Sequence, residues 1–177
     1  MNNSIPFSDL ISEINFKNKR ICIVEHEYCC IDFIIRDLLK ILKKNNQEIN
    51  ILSFYNSEDH YEKIIDFDSK STIKIQSIYK NEIIENSYSY LIIDDVFTGK
   101  TLFGIKCKEI EGIYIYRSNS ATETDMCSYD ICILIKPLKS GVSTVYDGII
   151  EIHQFDRTIF TGKYKVFRDE TVYYSLC

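Results

Sequence analysis

Apolar and polar positions fall into two regimes along this chain, changing near Pro137. Before it, short apolar runs alternate with stretches of helical spacing. Arg20-Ile21-Cys22-Ile23-Val24 reads as a buried strand, and Ile31, Ile34, Ile35, Leu38, Leu39 and Leu42 mark one face of a helix over 31–44. Asn45-Asn46 ends that helix, and Ile49-Asn50-Ile51-Leu52-Ser53-Phe54 reads as a second buried strand, which completes the βαβ unit of a parallel sheet. Apolar residues at 7, 10, 11 and 14 predict a short helix before all of these. Ser57 with Glu58 and Asp59 predicts an N-cap and a short helix to about residue 65. Residues 72–78 alternate as a strand, and 80–89 form a sparse linker too short for a long crossover helix. Tyr90-Leu91-Ile92-Ile93-Asp94-Asp95 is then an apolar strand closed by two carboxylates. Strands over 112–117 and 130–136 flank a polar stretch, 118–125, expected to be a mobile loop. After Pro137 the runs 148–155, 163–167 and 171–176, punctuated by Gly141, Gly148 and Gly162, predict an antiparallel meander.

Parallel units first and hairpins last is the build of the RecA core. The order predicts one domain over 1–177, an α/β three-layer sandwich of RecA-like type with a mostly parallel central sheet and a C-terminal antiparallel meander. What such a domain uses to hold phosphate is missing. Between the first strand and its helix stand Glu25-His26-Glu27-Tyr28-Cys29-Cys30, with no glycine for backbone N–H groups to close around an anion and no lysine to neutralise it. Gly99-Lys100-Thr101 does not supply the motif, because the glycine required five positions earlier is Asp94 and the tripeptide follows the wrong strand. Asp94 and Asp95 stand where Mg²⁺-binding strands of P-loop ATPases end, but without phosphate ligands a carboxylate pair binds Mg²⁺ weakly, and a structural cap or subunit contact is expected of them.

At 177 residues, 45% hydrophobic and 27% charged, the composition is that of a globular domain able to bury its own core. No apolar run approaches a membrane span, and the start of the chain lacks a signal-peptide pattern, so a cytoplasmic or nuclear protein with no membrane partner is expected. Seven cysteines without CxxC spacing fit a reducing compartment. A net charge of -5 argues against gripping nucleic acid alone. His26, Cys29, Cys30 and Cys22 lack a second pair at zinc-site spacing, so neither a metal nor a cofactor is expected. His60 and His153 fall in unrelated elements, and Tyr114, Tyr116, Tyr173 and Tyr174 fit sheet packing better than base stacking.

The stretch Ile135-Lys136-Pro137-Leu138-Lys139-Ser140-Gly141, followed by Val142 to Gly148 with its Asp147-Gly148 turn, resembles the sixth subunit of Elongator. The final aromatic strand, the Asp94-Asp95 strand and the first strand without a phosphate loop are similar too. Two departures stand out: the segment before the paired aspartates is short, and Ser143 or Thr144 replaces an arginine common in that family. The resemblance implies a non-catalytic subunit that pairs with the fourth and fifth Elongator subunits in a hetero-hexameric ring. That ring binds tRNA and serves the catalytic core that modifies the wobble uridine. On this reading Asp94, Asp95, Gly141, Asp147 and Gly148 are structural, and Lys100, Arg117 and Lys139, at strand ends, are candidate RNA or subunit contacts. The alternatives are an ATPase-dead recombinase paralog that scaffolds DNA repair, and a small nucleotide hydrolase using Asp94, Asp95 and Lys100.

Overall fold

The computed structural model describes residues 4–6, 9–10, 19–44, 48–65, 73–77, 90–105, 111–141, 143–155, 157–168 and 170–176. Its strands are β1 (Ser4–Ile5), β2 (Arg20–Glu25), β3 (Ile49–Ser53), β4 (Ile73–Ser77), β5 (Leu91–Asp94), β6 (Gly112–Tyr116), β7 (Ile131–Lys136), β8 (Gly148–Gln154), β9 (Arg157–Val166) and β10 (Thr171–Ser175). The helices are α1 (Asp32–Lys44), α2 (Glu58–Ile64), α3 (Val96–Phe103) and α4 (Glu123–Cys127). Among the described residues these ten strands form one sheet in the order β1-β10-β9-β8-β7-β2-β6-β5-β3-β4. Pairing from β7 through β4 is parallel, and from β7 through β1 it is antiparallel. The change of regime read at Pro137 is thus the change from parallel crossover to hairpin.

In the parallel part, strands without polar interruption are buried on both faces because successive side chains point to opposite sides. Ile21 and Ile23 of β2 join Ile34, Ile35, Leu38 and Leu42 of α1 in one apolar layer. Cys22 and Val24 join Val96 of α3, Tyr114, Tyr116 and Tyr129 in the other. Helix α1 also reaches over the meander: Phe33 stacks on Tyr164 at 4.5 Å, the Arg36 guanidinium donates to the Thr171 hydroxyl at 2.9 Å, and the Tyr173 hydroxyl donates to Asp37 at 3.1 Å. Tyr114, Tyr116 and Tyr173 are all buried, which places them in sheet packing.

Three local expectations change. Residues 118–125 are not a featureless loop: Ser118 and Asn119 take left-handed backbone conformations, and Thr122 and Asp125 form a reciprocal capping box that starts α4. Ser57 holds the N-cap position of α2, but its side chain makes no capping bond. Strand β9 begins at Arg157, six residues before the expected run, because Gly162 lies inside the strand instead of ending one. A Cβ there would meet the Tyr174 carbonyl at 2.7 Å, so the glycine marks close backbone approach. The helix expected over 7–14 has only residues 9–10 among the described ones, both helical, and the linker 80–89 lies outside them.

Candidate functional site

Four neighbouring parallel strands end in polar residues at one pole of the sheet. In spatial order these are Glu25 closing β2, Arg117 just after β6, Asp94 closing β5 and Ser53 closing β3. This is the pole at which open α/β sheets bind ligands, outside the carboxyl ends of the strands. Here the side chains are spent on one another. Arg117 donates a two-pronged pair to Asp94, Nε to Oδ1 at 2.7 Å and Nη2 to Oδ2 at 3.1 Å, and its Nη1 donates to Glu25 Oε1 at 3.1 Å. Asp94 Oδ2 also accepts from Asn56 Nδ2 at 3.2 Å and from the Tyr61 hydroxyl of α2. The Ser53 hydroxyl is tied to the Asn56 backbone, accepting from its N–H at 2.9 Å and donating to its carbonyl at 2.7 Å. The Tyr55 ring covers the guanidinium, 5.0 Å from its centroid.

The network is buried: Asp94 is 0%, Arg117 6% and Glu25 8% exposed. Burial raises the Glu25 carboxyl above its ordinary range, and the facing Arg117 pulls against that shift. Burial acts to lower the Arg117 value, but the hydrogen bonds and charge of Asp94, with the charge of Glu25, outweigh it and keep the guanidinium charged. The Tyr61 hydroxyl is pushed far up, by burial first and by Asp94 second, so it donates and does not ionise. A carboxylate that accepts this many donors has little capacity left for a hydrated Mg²⁺ or for general-base work. The arrangement can act as a lock joining β2, β6, β5 and α2.

Asp95 is the N-cap of α3, in a left-handed conformation with its Oδ2 accepting from the Thr98 hydroxyl at 2.5 Å. The Gly99-Lys100-Thr101 tripeptide lies inside that helix, so it is neither a phosphate loop nor the helix start. The expected contact residues do not gather on one surface. Arg117, expected as an RNA or subunit contact, is held inside the pole by two carboxylates and is 6% exposed. Lys100 donates to the Tyr116 hydroxyl at 2.8 Å and to Asp125 at 2.9 Å, tying α3 to α4 across β6. Burial works to raise the Asp125 carboxyl, yet Lys100 and the bonds from Thr122 hold it down at about 2. Lys139 is exposed, on a turn closed by the Gly141 N–H donating to the Leu138 carbonyl at 2.9 Å, with Gly141 at φ +78°. Asp147 accepts from Lys165 at 2.8 Å and from the Val166 N–H at 2.7 Å, pinning the start of β8 (Gly148) to the end of β9. Among the described residues, His26, Cys29, Cys30 and Cys22 belong to no group of three or more side chains placed to hold a metal ion.

Sequence reasoning missed Glu25 as an ion-pair partner and missed Tyr61, Asn56 and Ser53 altogether. The available signal was positional: a polar residue closing an apolar parallel strand.

No family model matches the chain, and no curated protein matches it. Among solved structures it is similar to a KaiC-like protein from the hyperthermophilic archaeon Pyrococcus horikoshii OT3, with a TM-score of 0.62 at 9% identity, covering 98% of this chain and 100% of that one. At that identity the likeness establishes the fold, and the fold alone: an α/β domain of RecA type with a mostly parallel central sheet and an antiparallel extension.

Proposed function

We propose that this chain is a non-enzymatic RecA-type subunit that works through assembly with other proteins and takes no nucleotide. The observation that supports the reading is the Glu25–Arg117–Asp94 network at the carboxyl ends of β2, β6 and β5. A polyphosphate approaching this pole meets Glu25 and Glu27, and the one buried guanidinium is already paired. The finer reading is the one its likeness to the sixth Elongator subunit implies: a member of a hetero-hexameric ring that binds tRNA and supports wobble-uridine modification. What supports it is the order of the C-terminal turn and strands, with Asp147 and Gly148 joining β8 to β9.

Native mass spectrometry of the tagged chain purified from its own cells tests both levels. A hetero-oligomer without bound nucleotide supports the assembly reading. Two copies each of this and two other RecA-type chains, retaining tRNA, support the Elongator reading, and a DNA-repair complex in its place overturns the finer reading alone. A monomer or homo-oligomer carrying nucleotide overturns both and favours the hydrolase.

A further inference from the structure

Among the described residues, the meander has one face covered by a helix and one face with no helix over it. Toward α1, Ile150, Ile152, Tyr164 and Tyr173 are buried in the main core. The apolar layer on the α3/α4 side contains no residue of β8, β9 or β10. On that side one register row crosses four strands, with Lys136 of β7 opposite Ile149 of β8, Ile149 opposite Lys163 of β9, and Lys163 opposite Tyr174 of β10. All four are only half-buried, as are Leu134, Val172 and Tyr146. Tyr146 meets Tyr174 edge-on at 5.2 Å, and Lys163 stands 4.8 Å over the Tyr146 ring. The face therefore carries an apolar and aromatic stripe set among lysines, in a sheet whose parallel half has helices over this same side.

We propose that this bare face receives one amphipathic helix from a partner protein, with carboxylates flanking its apolar stripe. Three observations select that occupant. Ile149 and Tyr174 are two strands apart, roughly 10 Å at the usual strand spacing, which matches the width of one helix. On this face Lys136 pairs with Glu151 and Lys165 with Asp147, which leaves Lys163 as the excess cation among these five groups, within a chain of net charge -5, and a single acidic flank complements it. A second copy docking the same face would bring together two surfaces with the same excess positive charge, without the acidic flank that complements it. Single-stranded nucleic acid fits less well, because Glu151 and Asp147 hold two of the lysines and Lys163 covers the Tyr146 ring on which a base would stack. The inference deepens the assembly reading by naming a partner surface, and rests on that reading.

A photo-cross-linking residue is placed at position 149 and, separately, at 172 in the full chain in its own cells, and the adducts are sequenced. The expected result is that both positions label the same segment of one other protein, with apolar residues every three to four positions and Asp or Glu beside them. Lys163→Glu, expected to keep its urea midpoint, lowers the adduct yield at least tenfold. Adducts to nucleic acid, to another copy of this chain or to a basic segment overturn the proposal, as does the absence of any adduct. The readout does not involve nucleotide: ATP binding with the helix adduct intact overturns the claim that the chain takes no nucleotide and leaves assembly through the docking face standing.

Discussion

The two halves of the sheet treat polar groups in opposite ways. In the parallel half, helices cover both faces and the polar residues at the strand ends are drawn inward, so that Arg117 pairs with both Asp94 and Glu25 out of water. In the antiparallel half one face packs on α1 and the other keeps its lysines and carboxylates at the surface in pairs such as Lys136–Glu151 at 2.6 Å. The same sheet thus closes the pole at its strand ends with paired charges and leaves one face of the meander without a helix among the described residues. At this pole the charged side chains of Glu25, Arg117 and Asp94 fill the space at the strand ends.

The sharpest way to break this comparison is Arg117→Met. It leaves two buried carboxylates facing each other, and a loss of about 3–5 kcal/mol is expected from urea unfolding. A loss below about 1 kcal/mol would mean that the pole is wet and the lock is not a lock. The two faces of the meander are compared within one strand by Ile150→Ala and Ile149→Ala. The first empties a buried site and should cost about 2–4 kcal/mol, and the second removes a half-buried side chain and should cost under about 1 kcal/mol. Equal costs would show that both faces are covered. Tyr61→Phe removes one donor from Asp94 without opening space, with an expected loss of about 1.5–3 kcal/mol by the same measurement.

The smallest expected effect is on pH dependence. Burial raises the folded-state value of Glu25, so the folded chain holds that proton more tightly than the unfolded one. The sign is that stability declines as pH rises from the ordinary glutamate value, ~4.3, through the raised one. His26 works the other way: burial, helped by the charge of Lys136, lowers its value, so folding resists its protonation and stability falls as pH drops below the ordinary histidine range. Comparing Glu25→Gln with the parent at several pH values isolates the first contribution. The variant should gain relative stability as pH rises above the ordinary glutamate value, and a pH-independent difference would contradict the assigned burial of this carboxyl.

Most of the fold was legible because its causes are local. Apolar runs such as Leu91-Ile92-Ile93 mark strands, and Ile34, Ile35, Leu38, Leu39 and Leu42 mark the buried face of α1 by their helical spacing. The longer β9 was not legible, since Gly162 reads as a break until the Tyr174 carbonyl of the next strand shows why it is there. The site was half legible. The absence of a phosphate loop and the carboxylates at 94 and 95 are facts of the sequence, whereas the pairing of Arg117 with Glu25 spans 92 residues and depends on β2 and β6 being neighbours. Arg117 and Lys100 read as contact residues from their place at expected strand ends, which shows neither the carboxylates that hold Arg117 nor the Asp125 that Lys100 meets on a helix begun within the stretch 118–125.

The central claim is that this pole is occupied by the protein's own charges. Its most direct test is the thermal unfolding midpoint of the purified chain with increasing Mg²⁺–ATP up to millimolar concentration, since a ligand that binds only the folded state must raise it. The account predicts a midpoint that does not move. A saturable rise, reduced when Glu25 or Asp94 is replaced, would show that the pole takes nucleotide and would contradict the account.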